Sequence, residues 1–257
     1  MKAKLITVRS YKAILLITWA LLLVVSFLYY ELDNFSMYRL LRGFVSLVFL
    51  GIVIFYTKKK TNLVLASFLF IFGISSISTV WYENASIAVV SLFLNLFACI
   101  LLIMALWPKA SFKNLGIVLT IVFMFLIIIN AYILYEFITK LRDFANGSLN
   151  YIAMLLISIA IVIIGFLSLL YNHSCNTKTS LVFTMAIFLF IFAGVFRAIS
   201  YYGFGYGDVS IYVARFTFIT ANAMLAHFML MPKTEKENVS LRSSNYSEEQ
   251  KPTSLGI

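Results

Sequence analysis

Long uninterrupted apolar runs alternate with short polar breaks along this chain. Eight runs stand out, at Tyr11–Tyr30, Tyr38–Thr57, Asn62–Tyr82, Ala85–Trp107, Asn114–Glu136, Asn150–Tyr171, Thr179–Ser200 and Val209–Met231. The breaks hold Lys58-Lys59-Lys60, Pro108-Lys109, Asn146-Gly147 and the stretch from Gly203 to Asp208. A helix rises about 1.5 Å per residue, so roughly 20 apolar residues cross about 30 Å of hydrocarbon. The runs are continuously apolar rather than alternating, which excludes barrel strands. Backbone groups in lipid must be satisfied within their own segment, and only a helix does that here. The pattern therefore predicts an all-α polytopic membrane protein with eight transmembrane helices over residues 1–231, followed by a polar, disordered cytoplasmic tail over 232–257.

Composition agrees. The 257 residues are 62% hydrophobic and 12% charged, whereas a soluble domain runs near 45–50% and about 25%. With 25 Phe and 15 Tyr the chain is too aromatic to be disordered. Charge then sets orientation. Placing the N-terminus inside puts 14 of the 20 Lys and Arg on that side, among them Lys2, Lys4, Arg9, Lys12, Lys109 and Lys178. The positive-inside rule thus predicts a multi-pass cell-membrane protein with both termini cytoplasmic. The basic, then apolar start is read as a retained first span. Its run ends in Phe27-Leu28-Tyr29-Tyr30-Glu31 rather than in the small residues a signal peptidase cuts.

The chain also repeats itself. Phe68-Leu69-Phe70-Ile71-Phe72 in the third run recurs as Phe188-Leu189-Phe190-Ile191-Phe192 in the seventh. Trp107-Pro108-Lys109 closes the fourth run and Met231-Pro232-Lys233 the eighth. Two four-helix units, about 11–109 and 114–233, are expected, and an even number of spans in each makes the repeat parallel.

Chemistry is sparse. Every lysine is read as lying outside the spans, which excludes a retinal Schiff base. Phosphate loops, dinucleotide fingerprints, zinc motifs and nucleophile elbows are absent from the sequence, so no cofactor and no metal are expected. Cys99 in the fourth span and Cys175 in a loop are expected to remain unpaired. Charges inside a bilayer are costly and become candidates by default. Arg197 lies late in the seventh span. Asp208, Tyr212, Arg215 and Asn222 share one face of the eighth by their spacing. Together these five suggest a polar, outward-facing pocket that grips an anionic head group. A structural alternative has Arg197 snorkelling to the interface and Arg215 paired with Asp208 or Glu83. Arg39 and Arg42, one turn apart, either join the site or anchor the second helix. Ser75, Ser78, Thr79 and Tyr82 share a face of the third span and are read as hydrogen-bonding glue or as lining of the same cavity. His227 has no carboxylate at its depth and is read as a packing histidine.

The segments Leu65–Lys109 and Leu181–Lys233, with eight spans and paired halves, resemble the YhhN-like lysoplasmalogenase family. The resemblance implies a multi-span hydrolase acting on the vinyl-ether bond of lysoplasmalogens. Family members carry a Gly-Asp or Ser-Asp pair where this chain reads Phe72-Gly73-Ile74-Ser75 and Ala193-Gly194-Val195-Phe196. Neither stretch holds an aspartate, so the resemblance transfers the fold and no catalytic residue. The expected function is binding or processing of a lipid or other amphiphile. The expected partners are membrane lipids and an amphiphilic small molecule, not nucleic acid. A small-solute transporter is the alternative, as is a non-enzymatic sensory or scaffolding module.

Overall fold

The computed structural model describes residues 2–57, 61–110, 117–140, 142, 147–201 and 207–231. Among these residues there is no strand. Eight helices follow in order: α1 (Lys2–Glu31), α2 (Phe35–Thr57), α3 (Leu63–Ser78), α4 (Ala85–Leu106), α5 (Ile117–Lys140), α6 (Ser148–Cys175), α7 (Lys178–Tyr201) and α8 (Gly207–Leu230). All eight are long and apolar enough to cross a membrane. The protein is an all-α, multi-pass integral membrane protein. The tail at 232–257, the lysines at 58–60 and the stretch 202–206 lie outside the described residues.

Local chemistry sets the helix ends. The Asn62 side chain accepts from the Leu65 amide at 3.3 Å and starts α3. Asn84 accepts from Ser86 and Ile87 at 3.0 and 3.4 Å and starts α4. Each satisfies amide donors that the first helical turn leaves open. Gly147 precedes α6 at φ +98°, a region that a Cβ disfavours. Asn176 ends α6 in the left-handed conformation at φ 44°.

Some helix ends differ from the expected spans. The α6 helix continues four residues beyond Tyr171, so Cys175 is its last helical residue and not part of a loop. The α5 helix likewise continues to Lys140. Lys12, Lys109, Lys140 and Lys178 consequently sit on helical turns near the span ends rather than in loops. Helices extend past their apolar runs because interfacial turns still form backbone bonds, and lysine stems reach water from there.

Packing centres on α8, the least apolar span and the most enclosed one. It lies against α7, α1 and α2. A span bearing polar groups is cheapest to place where protein, not lipid, surrounds it. The two recurring phenylalanine segments meet at the centre of the bundle. Phe68 and Phe72 of α3 stand edge-on to Phe190 of α7, each with centroids 5.5 Å apart, and Phe218 of α8 joins them. Edge-to-face geometry directs the positive ring edge at the negative face.

Small and hydroxylated residues bring the other helices together, as expected where lipid supplies no hydrophobic drive between helices. Gly43 of α2 lies directly against Gly73 and Ile77 of α3. Ser75 and Ser91 each donate to the other's carbonyl, at 2.8 and 2.9 Å, and join α3 to α4. Thr184 donates to the Ser168 carbonyl at 2.8 Å and joins α7 to α6. Beyond sequential neighbours, α2 packs on α8 and α4 on α6. α1 lies on α8, whereas α5 packs chiefly on α6 and leaves most of its large apolar side chains exposed.

Candidate functional site

At one end of the bundle α1, α3 and α7 finish while α2, α4 and α8 begin, and most of the sequence-predicted polar residues collect there. Arg39 and Arg42 lie on the first two turns of α2. Arg39 Nη1 meets Glu83 Oε1 at 2.5 Å. Arg39 is partly exposed and Glu83 well exposed, at 29% and 67% of their side chains. The Arg39 hydrogen bond holds the Glu83 carboxyl below the usual carboxylate range. A depressed acid contributes stability above its unfolded value and loses it as pH falls through the folded value. Glu83→Gln should therefore lower Tm by only about one or two degrees at neutral pH. The gap to the parent should close as pH is taken from 6 to 3 in a thermal-melt series.

One turn deeper, Arg42 Nη2 donates to Thr79 Oγ1 at 2.7 Å. Its Nε is buried and makes no hydrogen bond. Arg215 of α8 is only 2% exposed. Its Nη2 donates to the Tyr38 carbonyl at 2.8 Å, and its guanidinium lies 3.8 Å over the Tyr38 ring. Its Nη1 is buried without a partner. Arg197, half-buried on α7, acts electrostatically on both Arg42 and Arg215. Three like charges thus converge from three helices.

Besides Glu83, two more acids of this end are engaged elsewhere. Asp208 accepts the Tyr30 hydroxyl, and Glu31 accepts the Tyr212 hydroxyl. These two contacts join α1 to α8. The Tyr30 ring also lies 5.5 Å from Tyr38 and 5.4 Å from Tyr212. Among the described residues no carboxylate reaches Arg42 or Arg215. The alternative pairing of Arg215 with Asp208 or Glu83 does not form, since Tyr30 holds the first acid and Arg39 the second.

Four of the five sequence candidates are thereby gathered: Arg197, Asp208, Tyr212 and Arg215. Asn222 is not with them. It lies two turns deeper on α8, wholly buried, and its Nδ2 donates to the Phe218 carbonyl of its own helix at 2.9 Å. Thr79 joins the site by holding Arg42. Ser75 and Ser78 instead bond to backbone carbonyls at Ser91 and Ile74. Sequence reasoning missed Tyr30 and Tyr38. The four-residue spacing from Tyr38 to Arg42 was the one available hint that the tyrosine belongs to the arginine face. His227 lies at the opposite end, its ring 5.8 Å from that of Tyr11.

The electrostatics run in layers. Asp208 and Glu31 are exposed at the outermost turns of this end. Arg215 lies seven residues further along α8, about 10 Å deeper. Buried guanidinium groups that face one another without a counter-charge cost several kcal/mol. An anion seated between them would offset that cost through charge-assisted hydrogen bonds to Arg215 Nη1 and Arg42 Nε. No metal-ligand cluster occurs among the described residues. Comparison with family models, curated proteins and solved structures returned no match.

Proposed function

We propose that this protein binds a membrane amphiphile by its anionic group, held by Arg42, Arg197 and Arg215. The observation behind this reading is the pair of buried, unsatisfied donors, Arg215 Nη1 and Arg42 Nε. A phosphate oxygen accepts from such donors in the flat geometry that guanidinium groups provide. The exposed carboxylates Glu31 and Asp208 at the helix ends suit a cationic substituent further out. A phospholipid-like head group has that polarity, phosphate deeper and ammonium nearer water.

The likeness to YhhN-like lysoplasmalogenases belongs to the same proposal, as does a two-unit architecture. The corresponding helix pairs in each half pack together, and α2 on α8 is matched by α4 on α6, which supports the two units. We place the protein in the cell membrane with both termini cytoplasmic and the arginine site outward. Reaction chemistry is no part of the proposal. Small-solute transport is the weaker reading: transporter sites are commonly built on helices broken near the midplane, and no proline interrupts a described span here.

Native mass spectrometry of protein purified in mild detergent tests the reading. The parent should retain one phosphate-bearing lipid per chain, and the double variant Arg42→Met/Arg197→Met should lose most of it. Equal occupancy in parent and variant would remove the arginines from the site.

A further inference from the structure

The other end of the bundle holds a second feature that the arginine site does not use. Between α1 and α8 an open groove of about 340 Å³ runs along the lipid-facing surface. Lys12 and His227 line its polar end, and Leu15, Trp19, Thr220 and Met224 line the rest. Trp19 Nε1 donates to Thr220 Oγ1 at 3.0 Å, which ties α1 to α8 along the groove. From Lys12 to Trp19 the groove covers about 10 Å, two thirds of one leaflet's share of the hydrocarbon.

Among the described residues the charge at this end has one sign. Lys12 is exposed, and its charge acts on His227 across the groove. The N-terminal segment adds Lys2, Lys4 and Arg9, and the chain holds no acid before Glu31. A basic group at the membrane surface attracts acidic lipid, and an apolar channel running inward from it fits a chain rather than a free ion.

We propose that this groove is a site for an acidic phospholipid of the leaflet at the Lys12 end. Its phosphate lies on Lys12 beside His227, and one acyl chain runs past Leu15 and Met224 to Trp19. The site is independent of the arginine cluster, which lies at the opposite end of the bundle and shares only α8 with the groove. The ligand is drawn from the bilayer itself, so the expected behaviour is preferential association of one lipid class and not tight retention of one molecule.

Trp19 reports on its own groove. In a Trp81→Phe/Trp107→Phe background it is the single tryptophan, and brominated lipids quench an indole they touch. Reconstituted into vesicles of phosphatidylcholine doped with brominated phosphatidylglycerol, Trp19 should be quenched about fivefold more effectively than with the same fraction of brominated phosphatidylcholine, the ratio that one interfacial charge supplies. Lys12→Gln should cut the ratio severalfold while quenching by brominated phosphatidylcholine stays unchanged, which shows that the fold is intact. Arg215→Met should leave the ratio as in the parent, so failure here and failure of the arginine site are separable. Equal quenching by both lipids in the parent would overturn the proposal. So would a preference that Lys12→Gln leaves undiminished, or strong quenching by a brominated fatty acid without any by brominated phosphatidylglycerol.

Discussion

Arg215→Met should abolish retention of the anionic amphiphile and leave the protein as heat-stable as the parent, or more so. The two outcomes come from one cause. Arg215 is buried, faces Arg42 and Arg197, and has no carboxylate partner among the described residues. Replacing a buried charge with an apolar side chain of similar volume is commonly neutral or stabilising by about 1–4 kcal/mol. The lost charge-assisted hydrogen bonds to the ligand are worth about 1.5–3 kcal/mol, or about 10- to 100-fold in affinity. The two measurements are Tm in detergent, with and without added lipid, and a lipid-binding titration. Arg215→Lys sharpens the test. It keeps the charge but loses the planar fork that spans the Tyr38 carbonyl and a ligand oxygen at once, so binding should fall between parent and Met variant. If Arg215 merely pins α8 to α2 through Tyr38, the result inverts: Tm falls in Arg215→Met, and lipid retention follows only the fraction that stays folded.

Reading that site from the chain succeeds as far as helical periodicity reaches. Asp208, Tyr212 and Arg215 recur at the period of one helix, so their shared face follows from spacing alone. The spans follow as readily, because crossing hydrocarbon imposes a length and an apolarity that act on each segment separately. What the spacing leaves open is which helix α8 meets and at what height. The Tyr30–Asp208 and Tyr212–Glu31 contacts join positions nearly 180 residues apart, and their register depends on how α1 settles against α8. Arg215 is held by a backbone carbonyl and a ring face of Tyr38. No pattern of charged residues announces either, which is why ion pairing with Asp208 or Glu83 looked like the natural structural alternative. Asn222 marks the converse limit: it shares the face of Arg215, yet two further turns place it in the core instead of at the site.

Gly43→Ala should be the most destabilising glycine-to-alanine change among the described residues, and it should weaken the arginine site as well. A Cβ built at Gly43 falls 2.2 Å from Ile77 Cγ1, 2.7 Å from the Ile77 amide nitrogen and 2.8 Å from the Gly73 carbonyl oxygen. The first contact involves a side chain and can be removed by substitution. The other two are backbone and do not move without parting α2 from α3. Overpacking of this kind costs about 1–3 kcal/mol, which in a chain of this size lowers Tm by about 2–12 °C. Gly51→Ala is the control on the same helix. Nothing lies within 4 Å of its Cβ, so only the higher helix propensity of alanine acts there and Tm should hold or rise slightly. Arg42 immediately precedes Gly43 and reaches across the same helix pair to Thr79 at 2.7 Å, so opening the pair should break that bond and reduce lipid retention beyond what the lower Tm explains. Adding Ile77→Ala separates the contacts: it removes the side-chain clash but neither backbone one, so most of the lost stability should remain lost. Full rescue by Ile77→Ala would mean that α2 and α3 do not approach backbone to backbone at Gly43.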